Sequence, residues 1–242
     1  MPALLFAGFA YLLFNAASIA CLLFLANLWL PFGIDRSVWP ALPWPAAAAT
    51  DLALITLFGL QHSVMARSSW KQRLHRIVPA HLERLVYVTA SSLALLLLVV
   101  LWQPIPLLLW RVESEMAVAA LWASYAAGWL LVIAATYMIN HYELFGLAQV
   151  WRHIRGLPAP AEEFRTPYLY RYVRHPLYLG FLLAFWATPQ MSAGHLLFAA
   201  GMTAYILIGM AHEERDLLRI FGEAYRDYRA RVPALIPGLK LR

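Results

Sequence analysis

Residues 85–103 read LVYVTASSLALLLLVVLWQ, an apolar run without a single charged side chain. A helix that crosses the hydrocarbon core of a bilayer needs about 20 mostly apolar residues, so this run is long enough to span a membrane. Similar runs occupy about residues 3–30, 46–65, 116–139, 177–188 and 194–212. The sequence therefore predicts an all-α, polytopic integral membrane protein with about six transmembrane helices.

The overall composition agrees with a membrane protein. Of the 242 residues, 62% are hydrophobic and 13% are charged, whereas a soluble domain has about 45–50% apolar and about 25% charged residues. This excludes a disordered chain, a disulfide scaffold and an ordinary cytosolic enzyme. The single cysteine, Cys21, permits neither an intramolecular disulfide nor a cysteine-based metal site. Because no repeat or long linker divides the chain, we expect one domain over residues 1–242, with transmembrane helices in 1–139 and a C-terminal region in 140–242.

The basic residues predict the orientation in the membrane. Of the 19 Lys and Arg residues, five lie in residues 66–84, five in 140–174 and seven after residue 212. Cytoplasmic loops carry an excess of Lys and Arg, so six spans would place both termini in the cytoplasm. The net charge of +6 is then explained by topology and by attraction to anionic membrane lipid, rather than by nucleic-acid binding.

Polar side chains converge at the predicted cytoplasmic helix ends. Charged residues and histidines at membrane depth are costly, so their positions point to function. The segments are Gln61-His62-Ser63, Asn140-His141-Tyr142-Glu143, Arg174-His175-Pro176 and His212-Glu213-Glu214-Arg215. The opposite helix ends carry fewer such residues, mainly Asp51, Glu113 and Glu115. We therefore expect a site on the cytoplasmic side, although Glu213 and Glu214 could instead solvate a helix end or pair with Arg174.

The C-terminal region has a recognisable helical pattern. The run that ends at residue 188 and the run that begins at residue 194 predict a helical hairpin that turns near Pro189-Gln190-Met191-Ser192. Residues 213–231 predict a charged amphipathic helix on the cytoplasmic side, since apolar side chains recur there at three- and four-residue steps before Pro233.

Several common active sites are excluded. The chain has no G-x-G-x-x-G, G-x-S-x-G, H-E-x-x-H or P-loop motif, and its eight histidines lack the spacing of a metal site on one helix. No metal is therefore expected. A nucleotide-like cofactor would have to bind in a helical membrane pocket.

A resemblance enters with the C-terminal motifs. Arg174 to Gly180 read RHPLYLG, and Glu213-Glu214, Leu217-Leu218, Phe221-Gly222, Tyr225, Tyr228 and Val232-Pro233 through Ile236-Pro237 follow in order. This series resembles the isoprenylcysteine carboxyl methyltransferase family. The resemblance implies that the helical hairpin and the cytoplasmic helix enclose S-adenosylmethionine.

The preceding part of the chain narrows the resemblance. It is similar to the bacterial methanethiol S-methyltransferases and to NnrU-like membrane proteins in a series of short motifs: Gln61 to Arg67, Val78-Pro79, Glu83-Arg84, Tyr87-Val88, Trp102-Gln103-Pro104 and His141 to Leu147. The resemblance implies a multi-pass enzyme of the bacterial inner membrane that methylates methanethiol to dimethyl sulfide. It leaves the oligomeric state open.

The resemblance and the chemistry of the residues together suggest how a methyl donor is held. Arg174 and His175 suit its carboxylate, and Glu213 and Glu214 suit its cationic end or its ribose hydroxyls. Pro176 preorganises a helix N-terminus that favours negative charge, and Gly180 permits close approach of a ligand. The aromatic faces of Tyr178, Tyr225 and Tyr228 are expected to line the sulfonium.

A thiol acceptor must lose its proton, because the thiolate is the reactive form. His141 and His62 are the candidate general bases. His141 is preferred because Glu143 and Asn140 could orient it, and Gln61, Asn140 and Tyr142 are expected to contact the acceptor. The proton could instead pass directly to water.

Other functions remain open at this stage. The acceptor could be a larger lipophilic thiol or the carboxylate of isoprenylcysteine. The chain could also be a haem-binding NnrU-like protein with His62 and His141 as axial ligands, or a membrane protein without catalytic activity.

Overall fold

A computed structural model describes residues 1–161 and 163–239. The helices are α1 (Pro2–Leu25), α2 (Trp44–Ala66), α3 (Ser68–Leu74), α4 (Ala80–Leu101), α5 (Glu115–Ile139), α6 (His141–Leu144), α7 (Leu147–Arg155), α8 (Pro176–Trp186), α9 (Ala193–Phe221) and α10 (Glu223–Arg231). A 3₁₀-helix spans Tyr168–Arg171, and the strands are β1 (Leu108–Arg111) and β2 (Gln190–Ser192). The prediction of a helical protein is confirmed, with one short antiparallel β-ribbon in addition.

Four helices in the described part of the chain, α1, α4, α5 and α9, are long and apolar enough to cross a membrane. The chain is therefore a helical membrane protein. The predicted run at 177–188 forms α8, whose 11 residues extend only about 16 Å at 1.5 Å per residue. The run at 46–65 forms α2, which has 23 residues but is not among the four. By helix length and hydropathy, the described residues thus contain four candidate spans, where the sequence predicted about six.

Proline residues set several of the helix starts. Pro2 is in the first turn of α1, Pro79 immediately precedes α4, and Pro176 begins α8. Proline suits the first turn because the N–H that it lacks has no partner within the helix. The sequence therefore fixes these boundaries locally.

The chain divides into two compact units, and the first comprises Met1–Arg111, Tyr142–Ala159 and Gln190–Gly201. Within it, α4 packs against α1, α2 and α7. The centre of this packing is a cluster of buried apolar side chains: Ala7, Ala10, Leu85 and Val150. The two alanines let α1 approach its neighbours closely, as small residues do in membrane helices.

The first unit also buries polar side chains that the sequence did not single out as buried. Asp51 is fully buried, and its Oδ1 accepts a hydrogen bond from the backbone N–H of Gln103 at 2.9 Å. The hydroxyl of Ser192 donates to Asp35, and His195 is 2% exposed. Burying a polar group is costly unless it is hydrogen-bonded, so these bonds help to fix the fold of this unit.

The second unit comprises Val112–His141, Pro160–Pro189 and Met202–Arg242, and its central contact is between α5 and α8. A Cβ placed on Gly180 would lie 2.7 Å from the carbonyl oxygen of Gly128 and 2.9 Å from the side chain of Val132. A Cβ placed on Gly128 would lie 2.8 Å from the backbone nitrogen of Ala184. Advancing along α5 from 128 to 132 therefore means moving back along α8 from 184 to 180, so the two helices are antiparallel.

Two hydrogen bonds orient α8 relative to the C-terminal part of α9. Near the start of α8, the Tyr178 hydroxyl donates to Glu213, and at its end the Trp186 indole N–H donates to Thr203. Later residues of α8 thus pair with earlier residues of α9. This antiparallel arrangement agrees with the predicted hairpin.

The charged C-terminal helix differs from its predicted boundaries. Helix α9 continues without a break to Phe221, and α10 begins only at Glu223. Gly222, with φ at +54°, separates the two, because this backbone conformation is one that glycine adopts easily. The predicted helix over 213–231 is therefore the last part of α9 followed by a separate short helix.

Candidate active site

An ionic cluster links the residues just before α8 to α9 in the second unit. Nε and Nη2 of Arg174 donate to Oε1 of Glu214 at 2.8 and 2.6 Å, and His175 Nε2 lies 3.2 Å from the same oxygen. Arg174 and Glu214 are both largely buried, with side chains 9% and 11% exposed. Of the two acidic residues, Glu214 is thus the one that pairs with Arg174, as one of the alternatives predicted. Nε of Arg229 also lies 3.3 Å from Oε2 of Glu214.

The segment after α10 completes this cluster. The backbone N–H groups of Arg174 and His175 donate to the carbonyl oxygens of Pro233 and Ala234, at 2.9 and 3.0 Å. Nη1 of Arg174 donates to the carbonyl oxygen of Val232. Two motifs that are about 60 residues apart in the sequence are therefore paired, and Arg174 has a role in holding them together.

Glu213 has a different environment from Glu214. Its Oε2 accepts a hydrogen bond from the Tyr178 hydroxyl at 2.7 Å, but its side chain is 46% exposed. The ring of His175 stacks on that of Tyr178, with centroids 5.3 Å apart. Glu213 is thus the carboxylate of the pair that can still meet a cationic ligand.

Aromatic rings form a cluster next to α10. Phe164, which the sequence analysis did not single out, lies 5.8 Å from Tyr225 and 5.3 Å from Tyr228 between ring centroids. Burial raises the pKa of Tyr228 to about 12 and also raises the pKa of Tyr225, so both remain neutral phenols at physiological pH. The Tyr228 hydroxyl donates to the carbonyl oxygen of Tyr170. The Tyr225 hydroxyl is buried without a hydrogen-bond partner in the described chain.

His141 follows the end of α5 in the same unit. Its Nδ1 lies 2.8 Å from the hydroxyl oxygen of Thr136, and its ring stacks on Tyr137 with centroids 4.1 Å apart and an interplanar angle of 5°. The residue is 8% exposed. Burial lowers the pKa of His141 below the ordinary value of 6.5, which favours the neutral imidazole at physiological pH.

The register of α5 on α8 relates His141 to the ionic cluster. Val132 is level with Gly180, and one helical turn further along the antiparallel pair Thr136 comes level with Pro176. The C-terminal end of α5 and the N-terminal end of α8 therefore lie at the same end of this helix pair. This places His141 at the end that carries Arg174 and His175.

An open cleft of about 710 Å³ lies beside the 3₁₀-helix in the second unit. It is lined by Met138, Pro167, Tyr168, Leu169, Arg171 and Tyr172. Met138 lies three residues before His141, near the end of α5. This position near the end of a predicted span is the sequence signal that could have pointed to Met138.

The remaining predicted site residues, apart from Asn140, lie in the first unit. The ring of His62 lies 5.5 Å from Phe58 and 5.0 Å from Tyr87, and the Gln61 amide donates to Ser91 at 3.3 Å. Glu143 forms a two-pronged ion pair with Arg152, at 2.6 and 2.7 Å. The orientation of His141 by Glu143 stays a prediction.

The other two acceptor-binding candidates flank His141 in the sequence. Asn140 ends α5, and its backbone N–H donates to the carbonyl oxygen of Thr136 at 3.2 Å. Tyr142 is 57% exposed. Gly180, expected to let a ligand approach, lies where α8 packs against the backbone of α5.

Comparison with known proteins gives a consistent result. The NnrU protein family matches residues 52–235 of this chain. A methanethiol S-methyltransferase of Pseudomonas deceptionensis is 50% identical over 214 residues, which are 88% of this chain and 81% of that protein. A protein of the same name from Mycobacterium tuberculosis is 45% identical over 234 residues, 97% of this chain and 95% of its own length.

The similarity also extends to animal proteins. Nurim of Pan troglodytes is 32% identical over 207 residues, which cover 78% of this chain and 72% of that protein. No solved structure gives a significant match.

Proposed function

The chain belongs to the NnrU protein family, and on that premise we propose that it is a methyltransferase that converts methanethiol to dimethyl sulfide with S-adenosylmethionine as the methyl donor. The observation that carries the proposal is the antiparallel register of α5 and α8. This register brings a buried, neutral imidazole to the helix end at which the ionic cluster lies. The extensive identity to methanethiol S-methyltransferases supports this choice of acceptor.

The residues of the second unit fit such a donor. Glu213 offers a half-exposed carboxylate for a cationic group, and the unpartnered Tyr225 hydroxyl offers a hydrogen bond to a polar ligand. The aromatic faces of Tyr178, Tyr225 and Tyr228 suit a sulfonium, which such faces attract as they do other cations. Arg174 and Glu214 neutralise each other, so they add little net charge beside the sulfonium.

When bound, S-adenosylmethionine would supply an electrophilic methyl group, and the electron pair of the broken methyl–sulfur bond would stay on the donor sulfur. The protein's task is to bring a thiol into line and remove its proton, and much of the rate of such a displacement comes from positioning. We assign proton removal to His141: the S–H proton passes to the imidazole, and the thiol sulfur uses its electron pair to bond to the methyl carbon. The imidazolium then returns its proton to water.

We also propose where the site lies relative to the membrane. Six helices, α1, α2, α4, α5, α8 and α9, would be embedded in the bacterial inner membrane as one functional domain over residues 1–242. Both termini and the site would face the cytoplasm, as the distribution of basic residues indicates. Methanethiol is small and apolar, so it could enter from the lipid and would need few polar contacts.

Headspace gas chromatography tests the function directly. Membranes that contain the protein are given methanethiol with and without S-adenosylmethionine, and membranes without the protein serve as control. Dimethyl sulfide that requires both the protein and the donor is the expected result. Binding of the donor without any dimethyl sulfide would contradict methanethiol as acceptor and would direct the assay to larger thiols and to isoprenylcysteine.

An absorption spectrum of the purified protein tests the alternative of a haem protein. We expect no intense visible band. A stoichiometric haem band that disappears on substitution of His62 or His141 would contradict the proposed use of His141 as a base.

A further inference from the structure

Thr136 makes a hydrogen bond to the His141 ring. It lies on the last turn of α5 and is 6% exposed. Its hydroxyl oxygen lies 2.7 Å from the carbonyl oxygen of Ile133 and 2.8 Å from Nδ1 of His141. The hydroxyl is therefore bonded on two sides, inside a nearly closed environment.

The geometry determines which nitrogen of the imidazole carries the proton. A carbonyl oxygen only accepts hydrogen bonds, so the contact to Ile133 uses the single hydrogen of the Thr136 hydroxyl. Threonine in a helix commonly makes this bond to a carbonyl one turn earlier. The hydroxyl then has only lone pairs to offer to His141, so Nδ1 must be the nitrogen that donates.

We propose that Thr136 is a positioning residue that fixes neutral His141 as the Nδ1–H tautomer and thereby directs the lone pair of Nε2 to the thiol. The inference rests on the proposed methyl transfer, because it assigns the proton-accepting atom for that reaction. In the step itself, the S–H proton is transferred to Nε2 while Nδ1 keeps its own proton. The resulting imidazolium continues to donate from Nδ1 to the Thr136 hydroxyl, so no rearrangement is needed when the charge appears.

Tyr137 restricts the remaining freedom of the ring. Its ring is stacked almost parallel to that of His141, which limits tilting, while the bond to Thr136 limits rotation within the ring plane. A one-residue break at Asn140 after α5 allows His141 to fold back to Thr136, five residues earlier. Position and tautomer of the base are thus both set by the last turn of α5.

The tautomer is measurable apart from catalysis. The full-length protein is purified in detergent with ¹⁵N-labelled histidine, and the His141 signals are identified by their absence in His141→Gln. Two-bond ¹H–¹⁵N spectra near pH 7.5 then show which ring nitrogen carries the proton. We expect Nδ1–H in the wild type and in Thr136→Ser, and a mixture of tautomers in Thr136→Val, which keeps the shape but lacks the hydroxyl.

Kinetics provide the second measurement. Thr136→Val is expected to lower kcat by up to about 100-fold, the size of effect that misplacing a reacting group by about 1 Å has, with little change in the KM for the donor. Thr136→Ser should restore most of the activity. Ser92→Ala is the matched control, since Ser92 is also a buried helix hydroxyl bonded to a carbonyl one turn earlier, Val88 at 2.8 Å, and it should leave kcat unchanged.

The outcomes separate this inference from the proposed function. An Nε2–H tautomer in the wild type would overturn the role of Thr136 even if Thr136→Val failed to fold. Unchanged kcat and tautomer in a folded Thr136→Val would overturn it as well. Wild-type protein that shows Nδ1–H but forms no dimethyl sulfide would instead contradict the proposed function and remove the catalytic part of the inference.

Discussion

The two candidate bases, His62 and His141, both lie at predicted ends of membrane spans in the sequence, but they have different surroundings in the structure. His62 lies among the rings of Phe58 and Tyr87, and the guanidinium of Arg84 lies 4.9 Å from the Tyr87 centroid. His141 has a hydroxyl hydrogen-bonded to its Nδ1. We therefore expect His141 to transfer the proton and His62 to contribute mainly to packing. The following experiments test that distinction.

Replacing the two histidines in turn should have the largest effect. His141→Ala is expected to lower kcat by roughly 10²–10⁴-fold, the usual contribution of a general base, with little change in affinity for the donor. His62→Ala should lower kcat by much less, because the His62 ring lies among the rings of Phe58 and Tyr87. Dimethyl sulfide formation gives kcat, and calorimetry gives donor affinity.

His153→Ala is the control for these variants, since His153 is an exposed histidine that stacks on His81. A loss of donor affinity in His141→Ala with unchanged kcat would contradict its assignment as base. A larger loss of kcat in His62→Ala than in His141→Ala would reverse the comparison.

The two arginine–glutamate pairs extend the comparison to stability. Arg174→Met removes one partner from a pair that is about nine-tenths buried and is expected to lower the free energy of unfolding by about 3–5 kcal/mol. Arg152→Met breaks the more exposed pair with Glu143, whose side chains are 19% and 31% exposed, and should cost about 1 kcal/mol or less. Thermal unfolding in detergent measures both. Equal losses in the free energy of unfolding would show that the buried pair of Arg174 stabilises the protein no more than the exposed pair of Arg152.

The glycine at the contact of α5 and α8 should have a smaller effect. Gly180→Ala forces a methyl group against the backbone of α5, and overpacking of this kind costs about 1–3 kcal/mol. Gly209→Ala in α9 is the matched control, because a Cβ there meets no other atom within 4 Å. Replacing a helical glycine in open space should stabilise the helix by about 0.5–1 kcal/mol. A Gly180→Ala variant as stable as the wild type would argue against the close contact of α8 with α5 from which the position of the site is inferred.

The sequence predicted the long apolar helices, because apolar runs and proline positions are local signals, but it joined the end of α9 to α10. It correctly predicted the helical membrane fold, and it located the segments from which the ionic cluster is built. It also offered, as an alternative, the pairing of the acidic residues with Arg174, which the structure shows for Glu214.

What the sequence did not predict depends on three-dimensional partners. The bonds from Arg174 and His175 to the carbonyls at 233–234 join distant segments through backbone atoms, which leave no trace in side-chain patterns. The role of Gly180 depends on Gly128 in another helix. Thr136 lies within an apolar run, where a threonine five residues before a histidine is not a recognisable signal. The break at Asn140, after the end of α5, brings the two together.

The pH dependence of the wild-type rate distinguishes a protein base from direct proton loss to water. Near neutral pH, this prediction involves the smallest expected change in rate. His141 must be neutral to accept a proton, and burial places its pKa below 6.5. The rate should therefore be constant from about pH 7 to 8 and fall about tenfold per pH unit once the pH is below the pKa of His141. If the thiol lost its proton to water, the rate would instead rise through pH 7–8 with the thiolate fraction.

Linkage predicts the same direction for stability. A histidine whose pKa is lower in the folded than in the unfolded state binds a proton more readily after unfolding, so His141 destabilises the fold as the pH falls below about 6.5. Thermal unfolding at pH 5.5 and 7.5 measures this contribution, and His141→Gln should reduce the difference between the two. If His141→Gln keeps a pH–rate profile with the same plateau and the same midpoint as the wild type, the group that titrates is not His141. His62 would then be the candidate base.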